Sequence, residues 1–298
     1  MPRITLKQLE VFVCTAQEGS IQKASERIHL TQSATSMAMA DLERLLGRTL
    51  FDRIGRRLRL NSMGQTLLPM AADILARTHE LERMANTQGV AQGQLVIGAS
   101  QTVGTYLLPA LMGHYLQQHP DIQLKLQVDN TQGVIHSLEK MTCDLGFIEG
   151  YCQSNDVETL PWCEDELIIF CGPGHPLARE PMVTLPALGQ ASWVLREIGS
   201  GTREVFNNAL QGKVNPIHVA LELSQTEAIK QVVHNGFGLG CLSRLSINAE
   251  IERGWLIPLS VPELDLKRQL MAAIHRRKFQ DPLLKDFLNF CQKNQCPA

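Results

Sequence analysis

Thr31-Gln32-Ser33-Ala34-Thr35-Ser36, followed some fourteen positions on by Leu50-Phe51-Asp52-Arg53-Ile54-Gly55-Arg56-Arg57-Leu58-Arg59-Leu60, is the stretch on which the reading of this chain turns. Thr31 is placed to cap a helix in which Ala34, Ala38, Leu42 and Leu45 recur at helical spacing until Gly47 stops it. Toward the N-terminus, Ser20 caps a shorter run with Ile21, Ala24 and Ile28 inward. Ahead of that, Thr5-Leu6-Lys7-Gln8 reads as a capping box opening a helix that Gly19 ends. Three short helices with small residues at their crossings form a tri-helical unit, and residues 50–60 read as two short strands turning at Gly55, a basic β-wing. In such a unit the helix that enters the major groove presents its first residues to base edges. Gln32 suits bidentate bonding to adenine, the hydroxyls of Thr31, Ser33, Thr35 and Ser36 suit phosphates or bases, and small Ala34 permits close approach. Arg53, Arg56, Arg57 and Arg59 on the wing suit phosphates or the minor groove. Singly, the polar start is an ordinary helix cap and the arginine run a solvated hairpin; their order and spacing together point to double-stranded DNA.

Charge follows the same division. The chain has 298 residues and a net charge of −2, with Lys and Arg in excess over residues 1–62 and Asp and Glu in excess beyond them. A basic head on an acidic body keeps phosphate contact local. Residues 1–60 are expected to be the DNA-binding domain. A helix starting at Asn61 or Ser62 and running to about residue 88 carries Leu67, Ala71, Ile74, Leu81 and Met84 as a near-heptad stripe, suited either to pairing with a second copy or to packing on its own body. With a hinge after it, this segment occupies residues 61–90.

Past Leu95 the texture changes. Leu95-Val96-Ile97-Gly98-Ala99, residues 122–128 and residues 143–148 read as strands, with helices over 102–119 and 131–140 between them. Residues 167–171 and 193–195 continue the strands, and residues 202–211 and 226–235 the helices. This alternation predicts an α/β body with mainly parallel sheets. Ligands of such bodies bind beyond the carboxyl ends of strands, where helix N-termini converge. Ser100-Gln101-Thr102 follows one strand, and Arg196-Glu197-Ile198-Gly199-Ser200-Gly201-Thr202-Arg203 another. Ser100, Thr102, Gly199, Ser200, Gly201 and Thr202 are therefore candidate ligand residues, with the helix ends and Arg196 favouring an anion. Either turn taken alone is equally well a plain helix cap. Glu149 ends a strand on the same side, and Thr226 opens a further helix. Gly236-Phe237-Gly238-Leu239-Gly240 lies after a helix and before a strand, and reads as a turn, not a phosphate loop.

The motif series Leu6-x-Gln8-Leu9-x-x-Phe12, Gly19-Ser20 with Ala24-Ser25, Thr31-Gln32-Ser33-Ala34, Leu42-Glu43, Leu46-Gly47 and Leu50-Phe51-x-Arg53 resembles the head of LysR-type transcriptional regulators. Asn61 stands where many of them carry Thr; both cap helices. The resemblance implies a dimerising linker helix, a periplasmic-binding-protein-like effector domain over 91–298 with two lobes (about 91–162 plus 268–298, and about 163–267), and commonly a tetramer on DNA. It also implies a small-molecule effector, with RNA polymerase as a further partner. Phe147-Ile148-Glu149-Gly150, Gly199-Ser200-Gly201-Thr202-Arg203-Glu204 and Thr226-Glu227-Ala228-Ile229-Lys230 look most like the YeiE-like branch, associated with sulfite and sulfur metabolism, which makes sulfite or another small oxyanion the leading effector.

Other classes fit less well. No nucleophile elbow, zinc motif or Walker loop is written here, so an α/β enzyme is disfavoured and no cofactor or metal is expected. The absence of a signal-like start and of any run near the roughly 20 apolar residues of a membrane span points to the cytoplasm, with no membrane partner and with free thiols. Redox sensing through Cys143, Cys152, Cys163 and Cys171 is the alternative within the family, though nothing nearby lowers a thiol pKa.

Overall fold

The computed structural model of the protein describes residues 3–54, 57–86, 93–214 and 216–294. Its N-terminal part runs α1 (Leu6–Glu18), α2 (Ile21–Arg27), α3 (Gln32–Leu46), β1 (Phe51–Ile54), β2 (Arg57–Leu60) and α4 (Ser62–Asn86). The local signals act as read at α1 and α3, whereas Ser20 precedes α2 without making a side-chain cap bond. Thr5 and Gln8 form a reciprocal capping box, and Gly19 and Gly47 end α1 and α3 in the left-handed conformation. Asn61 caps α4 by accepting from the Gly64 N–H at 2.9 Å. Val11, Phe12, Met39, Leu42, Leu50, Leu68 and Ala71 close the core of the head, so the first turns of α4 belong to it.

That packing divides the linker stripe. Ala71 faces the head core, whereas Met70, Ile74 and Leu81 stay exposed, at 52%, 44% and 71%. Met63, Leu67, Met70, Ile74 and Leu81 keep a four-three spacing along α4; the side chain of Met84 lies outside the described residues.

The body contains β3 (Gly93–Ser100), α5 (Gln101–Tyr106), α6 (Leu108–Gln118), β4 (Ile122–Asp129), α7 (Thr131–Glu139), β5 (Leu145–Glu149) and β6 (Val157–Cys171). It continues with α8 (Leu185–Gln190), β7 (Ser192–Arg196), α9 (Gly201–Leu210), β8 (His218–Leu223), α10 (Thr226–His234) and β9 (Leu239–Ser243). It ends with α11 (Arg244–Glu252), β10 (Ile257–Pro258), β11 (Lys267–His275) and α12 (Pro282–Lys293). The strand order is β4-β3-β5-β11-β6-β9-β7-β8, with β10 on β6. Strands β3, β4 and β5 are parallel, as are β7, β8 and β9, but β6 and β11 run antiparallel to each other and to their neighbours β9 and β5. The expectation of mainly parallel sheets is thus corrected to two parallel halves joined by a long antiparallel pair. Each half has its own core, around Phe147, Trp162 and Phe287 in the first lobe and Trp193, Leu195 and Phe206 in the second. Helix α12 returns the chain to the first lobe, where the Trp162 indole N–H donates to the Cys291 carbonyl at 2.9 Å.

Two further expectations change. The helix expected over 102–119 breaks at Leu107 into α5 and α6, because Pro109 has no N–H with which to continue the ladder. The strand at 167–171 is only the end of fifteen-residue β6, whose Pro161 sits at a bulge opposite Leu270 and Met271. Among the described residues, no helix is long and apolar enough to cross a membrane.

Candidate functional site

Glu149 ends β5 at the bottom of the cleft between the lobes and is 1% exposed. Its carboxylate accepts from the Thr102 backbone N–H at the start of α5 (2.9 Å), from the Thr202 hydroxyl at the start of α9 (2.6 Å) and from Arg268 Nη1 (2.7 Å). Arg268 stands on β11 directly opposite Asp165 on β6, and its Nε donates to Asp165 Oδ2 at 2.7 Å. The same guanidinium donates to the Thr202 hydroxyl at 3.0 Å and to the Thr102 hydroxyl at 3.4 Å. Ser243 donates to the other Asp165 oxygen at 2.7 Å. One buried cation therefore ties both lobes to both crossover strands. Burial by itself would raise the Glu149 pKa, but the Arg268 charge and the hydrogen bonds from Thr202 and Thr102 outweigh it and hold the carboxyl well below its usual range. At neutral pH two carboxylates face one guanidinium, leaving a local charge of −1.

The walls meet around this floor. Gly201, the first residue of α9, lies so close to the Glu149 carbonyl that a Cβ would collide with it. Its N–H donates to the Thr131 hydroxyl (3.2 Å), which donates to that carbonyl (3.0 Å). Gly199, at φ +94°, accepts from the Gln132 N–H at 3.1 Å. At the opposite mouth, Gln101 bonds Gln225 (3.4 Å) and Thr226 (3.2 Å), and the Tyr106 hydroxyl donates to Glu227 at 3.0 Å. The Ser100 hydroxyl, 1% exposed, has no hydrogen-bond partner among the described residues. A cavity of about 890 Å³ opens beside Thr131, Gly199 and Ser200, with Tyr151 and Arg203 on its wall.

The structure thus brings Ser100, Thr102, Glu149, Gly199, Ser200, Gly201, Thr202 and Thr226 to one cleft. Arg196 departs from its expected place as an anion ligand: it is buried in a two-point pair with Glu197, at 2.8 and 2.9 Å. Sequence reasoning missed Arg268, Asp165 and Thr131. The signal for Arg268 was a charge at the head of an apolar strand, Arg268-Gln269-Leu270-Met271-Ala272-Ala273-Ile274.

On the head, Gln32, Ser33 and Ser36 are exposed along one face of α3, and Thr31 caps the helix by accepting from the Ala34 N–H at 3.2 Å. Thr35 is a correction: it is fully buried, and its hydroxyl donates to the Thr31 carbonyl at 3.0 Å, so it faces the head core and not the groove. Arg59 on β2 is exposed. The backbones of Arg53 and Arg57 lie in β1 and β2, but their side chains, and all of Arg56, lie outside the described residues.

The buried thiols of Cys143 and Cys171 are poor nucleophiles. Burial pushes Cys143 up to about 12 and Cys171 to about 11, with the neighbouring Asp144 adding to the first effect. Cys14, Cys143, Cys152, Cys171, Cys241 and Cys291 are free, but Cys163 is disulfide-bonded, which corrects the expectation of free thiols throughout.

Comparison with known proteins follows the same two parts. Residues 6–65 match the bacterial regulatory helix-turn-helix protein, lysR family, and residues 88–295 match the LysR substrate binding domain. The chain is 42% identical over 294 residues to an Escherichia coli protein named as the uncharacterized HTH-type transcriptional regulator YeiE, covering 99% of both. It is 32% identical to the HTH-type transcriptional activator CmpR of Synechocystis sp., over 97% of this chain and 95% of that one. A full-length OxyR variant from Pseudomonas aeruginosa superposes with a TM-score of 0.80 at 22% identity, covering 100% of this chain and 99% of that one. The regulatory domain of Synechocystis CcmR, solved in complex with 2-PG, superposes at 0.64 with 28% identity, over 68% of this chain and 98% of that one. With both family models matched and full-length relatives that are regulators, this chain belongs to the LysR family and is a ligand-responsive, DNA-binding transcriptional regulator, not an enzyme.

Proposed function

We propose that the regulator senses a small oxyanion, sulfite or a close chemical relative, on the floor of the inter-lobe cleft. The observation that carries this reading is that donors from both lobes already converge on an anion. The Thr102 N–H, the Thr202 hydroxyl and Arg268 all point at Glu149, with the unpartnered Ser100 hydroxyl on the same strand-to-helix turn as Thr102. An oxyanion taking over these donors displaces the Glu149 carboxylate, so that the lobes close on the guest in its place. Ser200 and Gly201 supply helix-end dipole, and Thr226 guards the mouth. A larger anionic metabolite that also reaches the neighbouring cavity of about 890 Å³, which Thr131, Gly199, Ser200 and Arg203 line but Glu149, Thr102, Thr202 and Arg268 do not, is the second reading. The 2-PG held by the CcmR domain agrees with either.

Gln32, Ser33 and Ser36 enter the major groove, and Arg53, Arg56, Arg57 and Arg59 hold the backbone. The exposed Met70, Ile74 and Leu81 of α4 pair two chains, which places two heads about one DNA turn apart; two such dimers form a tetramer. Effector and DNA are coupled through the packing of the bodies, so the effector binds more tightly to the DNA-bound form it favours. Calorimetry of the full-length protein with sulfite, sulfate and phosphate tests the cleft reading. Sulfite binding that Thr202→Val weakens at least tenfold is expected; no heat with any of the three, or an unchanged affinity in the variant, refutes it.

A further inference from the structure

Met37 stands on the second turn of α3 with 67% of its surface exposed, while Met39 and Leu42 of the same helix are 5% and 1% exposed and Leu45 and Leu46 are partly buried. A lone exposed apolar residue is unremarkable in itself. Its setting is what matters. Ser33, Met37 and Ala40 follow one another at intervals of four and three, and Gln32 and Ser36 flank them; all five are exposed. Over residues 32–40 this face carries no charge, and the first charges beyond it, Asp41 and Arg44, pair with each other at 2.8 Å, although the head is basic and exposed Lys23, Arg48 and Arg59 lie elsewhere on it. Phosphates select cations, so an uncharged face on a basic head is matched to base edges. The one apolar group displayed by the major groove is the thymine C5-methyl. A methionine is long and flexible enough to cover a methyl whose position varies with local groove geometry. Exposed Ala40 one turn further on lets the helix lie close.

We infer that Met37 is a base-reading residue that packs its thioether on the C5-methyl of one thymine in each half-site, discriminating thymine from cytosine without adding phosphate affinity. The inference rests on α3 being the helix that enters the groove. Its test uses the full-length protein and the duplex sequence it selects from a random pool. Each thymine of that duplex is replaced in turn by deoxyuridine, which removes the methyl and nothing else. Wild type is expected to lose about fourfold in affinity for each methyl removed, the value of one buried methylene, and about fifteenfold when the methyl is removed from both half-sites. Met37→Ala binds the unmodified duplex more weakly by a similar factor, is insensitive to deoxyuridine at that position, and melts with the wild type because the side chain is exposed.

Equal sensitivity of wild type and Met37→Ala at every thymine overturns the inference, as does a wild type indifferent to all replacements. Gln32→Ala and Ser36→Ala separate the two layers. If these change the selected sequence and Met37→Ala does not, the Met37 assignment alone falls. If none of the three changes it, the placement of α3 in the groove falls as well.

Discussion

Replacing Glu149 by Gln removes one negative charge from the cleft floor while keeping the shape of the side chain. In the wild type the carboxylate accepts three hydrogen bonds, two from neutral donors and one from Arg268. Glutamine offers one acceptor oxygen, and its NH2 must then face the Thr102 N–H or the Thr202 and Arg268 donors. Hydrogen bonds to a charged group contribute about 1.5–3 kcal/mol, and losing one partner of a buried pair costs about 3–5 kcal/mol. Two features reduce that cost here: Asp165 still neutralises Arg268, and one buried carboxylate no longer has to be desolvated. A net loss of about 2 kcal/mol follows, equivalent to about 4–8 °C in the melting temperature of a body this size. The cleft floor meanwhile moves from a charge of −1 to neutral, so an added anion should bind the variant more tightly than the wild type. At a hundred times its Kd the anion returns about 2.7 kcal/mol, enough to restore the melt. Scanning calorimetry of wild type and Glu149→Gln, with and without sulfite, reads all of these quantities. A variant that melts with the wild type refutes the structural argument. A variant that is destabilised but gains no more from sulfite than the wild type does refutes the idea that Glu149 holds the anion's place.

The pH dependence of the same pair gives a second check. A carboxyl whose folded pKa is depressed contributes stability above its unfolded value of about 4.3, and loses it as pH falls toward the folded value. The melting gap between wild type and Glu149→Gln should therefore be flat from pH 5 to 8 and shrink below about pH 4; a gap that closes near neutrality contradicts the assigned charge state. Gly201→Ala drives a Cβ into the Glu149 carbonyl and should open the cleft. Sulfite affinity at least tenfold weaker by calorimetry is expected, and unchanged affinity would show that the close approach is not needed for binding. Ile74→Glu with Leu81→Glu places charge on the exposed stripe of α4 and should shift sedimentation toward the monomer; an undisturbed dimer would move the interface elsewhere.

The head and its linker were legible in the sequence because their signals are local. A capping box, a glycine that ends each of two helices, a β-wing and a 3.6-residue repeat each act within a few positions. Much of the cleft was legible for the same reason, since Ser100, Thr102, Ser200 and Thr202 sit at strand-to-helix turns that local pattern reveals. What tertiary structure alone decided was which groups meet. Arg268 reaches Asp165 across 103 residues and Glu149 across 119, and no spacing rule connects segments so remote. Strand β6, interrupted by Pro161 and several acids, reads as broken until β11 lies along it and absorbs the proline in a bulge. Thr35 and Ser36 are equally polar neighbours, yet helical rotation turns one into the core and the other to solvent once α3 packs in the head. Local propensity declares elements and their ends. The partners that neutralise a buried charge are chosen by the path of the chain between those elements, and that path is settled only when the two lobes pack.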